Sequence, residues 1–297
     1  VNDTDRGREA PIGGRRAVAR ALARRPNLRL GLTLSGPLLW LVAAYIGALV
    51  ALLVTSLFHN ETVGVATTMV TDPALDNYRT IIDTPVYKDV AVRTISAAVA
   101  VTVIDLVIAL PVAFFMAKVA STRSRRQLVI AITMPLWAGY LVKGYAWRAM
   151  LNPESGLIRE VFGVTPGYGL WGTITTLSYL WLPYMVIPIY AGLDRLPNSL
   201  LEASTDLGGK AGRTFRSVVL PLLIPSIVAG SIFTFSLTLG DFYVNRLFGG
   251  TTQFIGNNIY SNFGVNLPLA AAYATVPILI MVAYLVAARA TGALEEL

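Results

Sequence analysis

Residues 199–221 read Ser199-Leu200-Leu201-Glu202-Ala203-Ser204-Thr205-Asp206-Leu207-Gly208-Gly209-Lys210-Ala211-Gly212-Arg213-Thr214-Phe215-Arg216-Ser217-Val218-Val219-Leu220-Pro221, a polar stretch between two apolar runs. Ser199 and Glu202 have the S-x-x-E spacing of a capping box, which predicts a helix starting there. Leu200, Leu201, Ala203 and Leu207 are its apolar positions, and Gly208-Gly209 is its stop. A second helical piece is expected from Ala211 to Val219. An amphipathic helix of this kind must bury its apolar side somewhere. Two readings stay open from the pattern: a helix lying on the lipid surface, or a docking element for a soluble partner.

The flanking sequence places this stretch in a membrane protein. Of 297 residues 55% are hydrophobic and only 14% charged, where a soluble domain carries about a quarter charged residues. Most of the surface must therefore face something other than water. Six runs can cross a bilayer, at about 32–58, 94–117, 128–151, 170–193, 218–240 and 267–288, with the polar stretch as a loop over 194–217. A basic arm over 1–31 precedes them and a short tail over 290–297 follows. The fold class expected is all-α integral membrane, with six transmembrane helices.

Six crossings put both termini on one side. That side collects 17 of the lysines and arginines, eight of them in the arm, while the opposite loops hold Arg79, Lys88, Arg93, Arg159 and Arg246. Lys143 and Arg148 remain inside the third run, where snorkelling to the interface is the plain reading. The positive-inside bias puts the termini and the Glu202 loop in the cytoplasm. Topology thus accounts for the formal charge of +7, and a nucleic-acid role loses its support. The chain has no cysteine and a single histidine, His59, which leaves no ordinary His or thiolate metal site.

Several residue strings resemble one family. Glu202, Ala203, Gly208, Phe215, Val218, Leu220 and Pro221 match the EAA loop of ABC importer permeases, and Asp206-Leu207-Gly208 looks like its form in the spermidine/putrescine branch. Ser204 and Gly209 depart mildly, standing where alanine is more usual. Asn77-Tyr78, Tyr145-Ala146-Trp147, Gly240-Asp241-Phe242, Gly249-Gly250 and Gly256-Asn257-Asn258-Ile259-Tyr260 extend the resemblance over about 75–285. It implies the type I ABC importer permease fold in a bacterial inner membrane. Ser199, Glu202, Ala203, Asp206, Gly208, Phe215, Leu220 and Pro221 would then form the ATPase-coupling element.

The implied partners are two ATPase copies, a second permease subunit, an extracytoplasmic binding protein and a small-molecule substrate. No cofactor is expected on this chain; ATP and Mg would sit on the ATPase. The only glycine-rich lysine, Gly208-Gly209-Lys210-Ala211, lacks the upstream Gly and the following Ser or Thr of a P-loop. No Ser/His/Asp set or paired carboxylates point to an enzyme. A polyamine or a related small organic cation is the substrate the resemblance implies.

Charges inside apolar runs cost about 2.5–3.5 kcal/mol each at the bilayer centre, so they mark candidate pathway groups. Asp105 lies near the middle of the second run and Asp241 at the end of the fifth. Each has a plain reading: a carboxylate held by a neighbouring helix for Asp105, and a cap or an ion pair with Arg246 for Asp241. Tyr145, Trp147, Trp181 and Tyr184 are packing or interfacial residues by default, and cation–π partners for an organic cation if they face a cavity. Arg246 stands where the branch has a small uncharged residue, and with Lys143 and Arg148 it keeps an anionic substrate open. So does a different class, a secondary transporter driven by an ion gradient through Asp105 and Asp241.

Overall fold

The computed structural model describes residues 26–63 and 66–290. The arginine-rich arm up to residue 25 and the tail beyond 290 lie outside the described residues. Two compact units divide at residue 54. The first holds α1 (Pro26–Leu41), a π turn over Val42–Ile46 and most of α2 (Gly47–Ser56). Large apolar side chains such as Trp40, Tyr45 and Ile46 stand exposed along it. A helix apolar on every side is a lipid-facing rod, because only hydrocarbon satisfies such a surface.

The second unit opens with a hairpin that hydropathy does not reveal. Strands β1 (His59–Val63) and β2 (Ala66–Val70) pair antiparallel with His59 opposite Val70. Asn77 fastens the hairpin's root, donating its Nδ2 to the carbonyls of Ser56 and Phe58 at 3.0 and 2.6 Å. Asn77 lies in α3 (Asp76–Asp83), and α4 (Pro85–Phe114) begins directly after, with Pro85 where a missing N–H costs nothing.

With a π turn over Phe115–Val119, α4 runs unbroken for 35 residues. That is about 52 Å of helix against a hydrocarbon layer of about 30 Å. Its first turns, with Lys88, Asp89 and Arg93, therefore extend past the apolar run that begins at residue 94. The third run differs more. It is two helices, α5 (Thr122–Trp137) and α6 (Tyr140–Met150), broken by 99°. Ala138 and Gly139 both adopt extended ψ of 137°, and two extended residues in a row turn the chain. Hydropathy averages over such a corner and cannot see it. A short α7 (Leu157–Phe162) follows.

The remaining long helices are α8 (Leu170–Arg195), α11 (Leu220–Leu239) and α14 (Leu267–Ala290). Between α8 and α11 come α9 (Asn198–Asp206) and α10 (Ala211–Thr214), the latter entering α11 through a π turn over Phe215–Val219. The fifth apolar run thus continues a helix that starts at Ala211. Between α11 and α14 lie α12 (Tyr243–Phe248) and α13 (Ile255–Phe263). Among the described residues five helices are long and apolar enough to cross a membrane, and six if the bent pair counts as one span.

Helices α4, α8 and α11 form the core. Ala109, Ala113, Met116, Met185, Ile189, Leu193, Val219 and Leu223 make one buried cluster, and Val101, Leu177, Leu180, Val244, Phe248 and Phe254 belong to a second. Lipid is as apolar as leucine, so close backbone approach must supply what burial supplies in water. Two glycines provide it between α8 and α11. A Cβ added at Gly192 would meet Ser226 Oγ at 2.2 Å, and one at Gly230 would meet Met185 Sδ at 2.8 Å. Gly192→Val is expected to destabilise the bundle by about 1–3 kcal/mol through overpacking, seen as a lower melting temperature in detergent. An unchanged melt would refute this packing.

Candidate functional site

The 196–219 loop is rooted before it is shaped. Lys118 at the end of α4 donates to the Leu196 carbonyl at 2.6 Å and to Asn198 Oδ1 at 3.1 Å. Arg125 of α5 donates to the carbonyls of Met116 and Ala117 and reaches Asp194 Oδ1 at 3.1 Å. Lys118 and Arg125 are thus structural pins. Asn198 accepts from Lys118, and α9 starts one residue before the expected cap. Pro197, not Ser199, takes the N-cap position, and no side chain caps the helix. The capping box read from Ser199 and Glu202 is therefore absent: Ser199 already lies inside the first turn.

The C-terminal end of α9 is closed tightly. Gly208 has φ of +79°, its N–H donates to the Thr205 carbonyl at 2.9 Å, and the Gly209 N–H donates to the Ser204 carbonyl at 2.8 Å. These are the two bonds of a Schellman motif, which satisfy carbonyls that the helix end would otherwise orphan. A Cβ on Gly209 would lie 2.6 Å from the Ser204 carbonyl oxygen and 2.7 Å from Ser204 Oγ. Across the turn Ser204 Oγ and Thr214 Oγ1 are bonded at 2.8 Å. The two glycines thus end the helix as expected, and do so as a fixed corner.

This corner sorts the loop's side chains. Leu201 and Phe215 pack against the buried cluster at the ends of α4, α8 and α11, with Phe215 edge-on to Phe114 at 6.4 Å. Ser199, Glu202, Ala203 and Asp206 are all exposed. So is Leu207, 90% exposed and missing from the expected set. Its place as the last apolar position before Gly208 is the signal that could have found it. Leu220 and Pro221 open α11 below.

A second constellation lies in and beside the spans. Asp241 is buried, and its Oδ1 accepts from the N–H groups of Val244 and Asn245 at 3.1 and 3.2 Å, capping α12. Its Oδ2 accepts from the Tyr140 hydroxyl. The Tyr140 ring stacks on Trp181 at 5.8 Å and meets Tyr243 at 5.5 Å. Trp181 meets Tyr184 at 6.0 Å, and Tyr145 meets Tyr243 at 6.2 Å. Of the expected residues, Trp181, Tyr184, Tyr145 and Asp241 thus join one network. Trp147 turns to Tyr179 instead, at 5.0 Å. Tyr140 and Tyr243 bind the network together, and sequence reasoning left both out of the pathway set because nothing in their spacing ties α6 to α12.

Asp105 has no exposed surface. Ser178 of α8 is the hydrogen-bonding group beside it, yet neither carboxylate oxygen nor Ser178 Oγ makes a hydrogen bond of ordinary length and angle among the described residues. A buried polar group without a partner costs about 1–3 kcal/mol, so α4 carries this carboxyl at the expense of stability. Arg148 lies 4.8 Å over the Tyr168 ring. Arg246 makes no ion pair with Asp241; its guanidinium lies 4.9 Å over Tyr260. Among the described residues no three His, Asp or Glu side chains gather as a metal site would need.

Burial pushes the Asp241 carboxyl up to about 6, while the Tyr140 hydroxyl and the two backbone N–H groups pull it back down. A pKa raised on folding means the folded chain holds the proton more tightly. The associated stability is full below about 3.8 and is lost as pH rises through about 6. Asp241→Asn keeps the cap and removes the titration. The variant should melt higher than the parent at pH 7.5 and alike at pH 4, by up to about 3 kcal/mol. Parallel melting curves across that range would contradict the assignment.

Comparison with known proteins agrees with this architecture. Residues 90–295 match the family described as the binding-protein-dependent transport system inner membrane component. The chain is 40% identical over 292 residues to the inner membrane ABC transporter permease protein YdcU of Escherichia coli, covering 92% of each. It is 32% identical over 198 residues to the spermidine/putrescine transport system permease protein PotB of the same organism, covering 62% of this chain and 69% of that one. Among solved structures, a permease chain of a bacterial alginate ABC transporter superposes with a TM-score of 0.70 at 14% identity, covering 91% and 94% of the two chains. A chain of a methionine ABC transporter gives 0.54 at 18% identity, covering 68% and 92%. At those identities the likeness concerns the fold alone. The family match spans more than two thirds of the sequence, and the chain belongs to the inner membrane components of binding-protein-dependent transport systems: it is a multi-pass ABC importer permease, a transport component and not an enzyme.

Proposed function

We propose that this chain carries a polyamine such as spermidine or putrescine, or a related small organic cation, across the inner membrane, driven by ATP hydrolysed on a separate subunit. Its termini and the 194–217 loop face the cytoplasm. The exposed face of α9, with Glu202, Ala203, Asp206, Leu207 and Gly208, docks into one of two ATPase copies that bind ATP and Mg. A second permease subunit completes the pathway, and an extracytoplasmic binding protein delivers the substrate.

One observation carries the coupling role: the loop is apolar and anchored beneath, exposed above, and pinned to the end of α4 by Lys118, where Arg125 ties α5 to α4 and to Asp194. A push on Leu207 or Glu202 passes through Leu201 and Phe215 into the ends of α4, α8 and α11. Such a switch needs contacts that differ between its two states, and closure of the ATPase pair supplies them. For the substrate, support comes from the PotB relatives, from the buried acids Asp105 and Asp241, and from the Tyr140–Trp181–Tyr184 aromatic chain, which suits an ammonium group.

The test is uptake of labelled spermidine and putrescine by proteoliposomes holding the full importer, with ATP inside. Accumulation that needs ATP and stops with a hydrolysis-dead ATPase is the expected result. Accumulation of a dicarboxylate or phosphonate instead would replace the substrate reading and leave the importer role standing. Gradient-driven uptake by this chain alone would overturn both.

A further inference from the structure

The segment between α11 and α14 forms an open cavity of about 700 Å³ lined in part by Asn245, Arg246, Gln253, Asn257, Tyr260 and Ser261. That volume suits a small molecule or an inserted side chain. Arg246 is held in one orientation there. Its guanidinium lies 4.9 Å over the Tyr260 ring, and Tyr260 stacks on Phe242 at 5.3 Å with 12° between the planes. Stacking occupies the face of the guanidinium and leaves its N–H edge for a planar acceptor. Among the described residues no carboxylate lies within ion-pair distance of Arg246.

The surroundings keep this charge uncompensated. From Gly240 to Ala288 the only Asp, Glu, Lys, Arg or His residues are Asp241 and Arg246, and Asp241 is engaged by Tyr140 and by the N–H groups of Val244 and Asn245. Behind the wall, Asn245 is 2% exposed, with its Nδ2 buried and without an acceptor among the described residues. The Asn257 amide is spent on the frame, donating to the Phe242 carbonyl at 2.9 Å and accepting from the Phe254 N–H at 3.3 Å. The wall is therefore positive, and Arg246 supplies its donors.

We propose that this cavity is a carboxylate-binding site centred on Arg246. A polycation is repelled from it, so its ligand is not the polyamine. The carboxylate belongs either to a small solute or to an acidic side chain of the binding protein. The first source requires nothing of the transport reading, and the second rests on it.

The probe is sodium succinate, titrated into the chain in lipid nanodiscs against sodium chloride of equal ionic strength. Hydrogen exchange over residues 242–264 is the readout. Succinate is expected to slow that exchange, and spermidine to leave it unchanged. Arg246→Ala should abolish the protection, and Arg246→Lys should weaken apparent affinity about tenfold, since an ammonium cannot make the paired contact. Gln253→Glu, at an exposed position of the wall, should abolish it without touching the arginine. Protection by chloride alone, equal protection by spermidine, or full protection in Arg246→Ala overturns the site. Displacement of succinate by the importer's own binding protein assigns the carboxylate to that protein; undiminished succinate binding assigns it to a solute. Failure of ATP-driven spermidine uptake would sink the transport reading and leave the succinate titration intact.

Discussion

Leu207→Asp is expected to insert, fold and melt like the parent chain, and to lose ATP-driven uptake almost completely. Leu207 is 90% exposed and touches nothing whose loss would unfold the bundle. Its burial in an ATPase groove would be worth about 1.5–3 kcal/mol, so ATPase affinity should fall about 10- to 100-fold, with the aspartate's desolvation adding to the loss. Affinity for the ATPase and uptake should fall together. Uptake at the parental rate would show that α9 does not dock through this face. Gly208→Val reaches the same end by another route. It leaves Leu207 in place but forces a branched side chain into φ of +79°, at about 1–2 kcal/mol or more, and so misaims the helix.

Asp105→Leu should separate stability from transport. The carboxyl is fully buried with both oxygens unpartnered among the described residues, so replacing it with an apolar side chain is expected to stabilise the chain by about 1–3 kcal/mol. If the carboxylate meets the cation when the bundle opens, uptake should fall about 10- to 100-fold at the same time, the worth of a hydrogen bond to a charged group. Asp105→Asn should lose uptake with a much smaller change in melting. A plain structural carboxyl would behave in the opposite way: Asp105→Leu would melt lower, and whatever protein remained folded would transport normally.

Much of this was legible in the sequence because the bilayer reduces the problem. Uninterrupted apolar runs are a first-order signal in a low-dielectric solvent, and they placed five of the helices and the polar loop between α8 and α11. The residues of that loop were legible as a string, through Glu202, Gly208, Phe215 and Pro221. What stayed hidden is geometry at the scale of single dihedrals. The corner at Ala138 and Gly139 changes no hydropathy average, and the 59–70 hairpin is too polar and short for a periodic signal. The Ser199 cap failed because Pro197 and Lys118 had already fixed where α9 begins. The Tyr140–Asp241 bond joins residues 101 positions apart, a separation at which no local pattern carries information.

The corner after α9 also constrains how this sequence can have changed over time. Ser204 and Gly209 look like two independent departures from the alanines usual at those positions, but they share one volume. A methyl at 209 would meet the Ser204 carbonyl oxygen at 2.6 Å as well as its hydroxyl at 2.7 Å, so alanine at 204 would not make room for it, and that alanine would also strip Thr214 of its bond across the turn. Gly209→Ala is therefore expected to strain the corner with serine or alanine at 204, and a laboratory library scanning both positions together should keep glycine at 209.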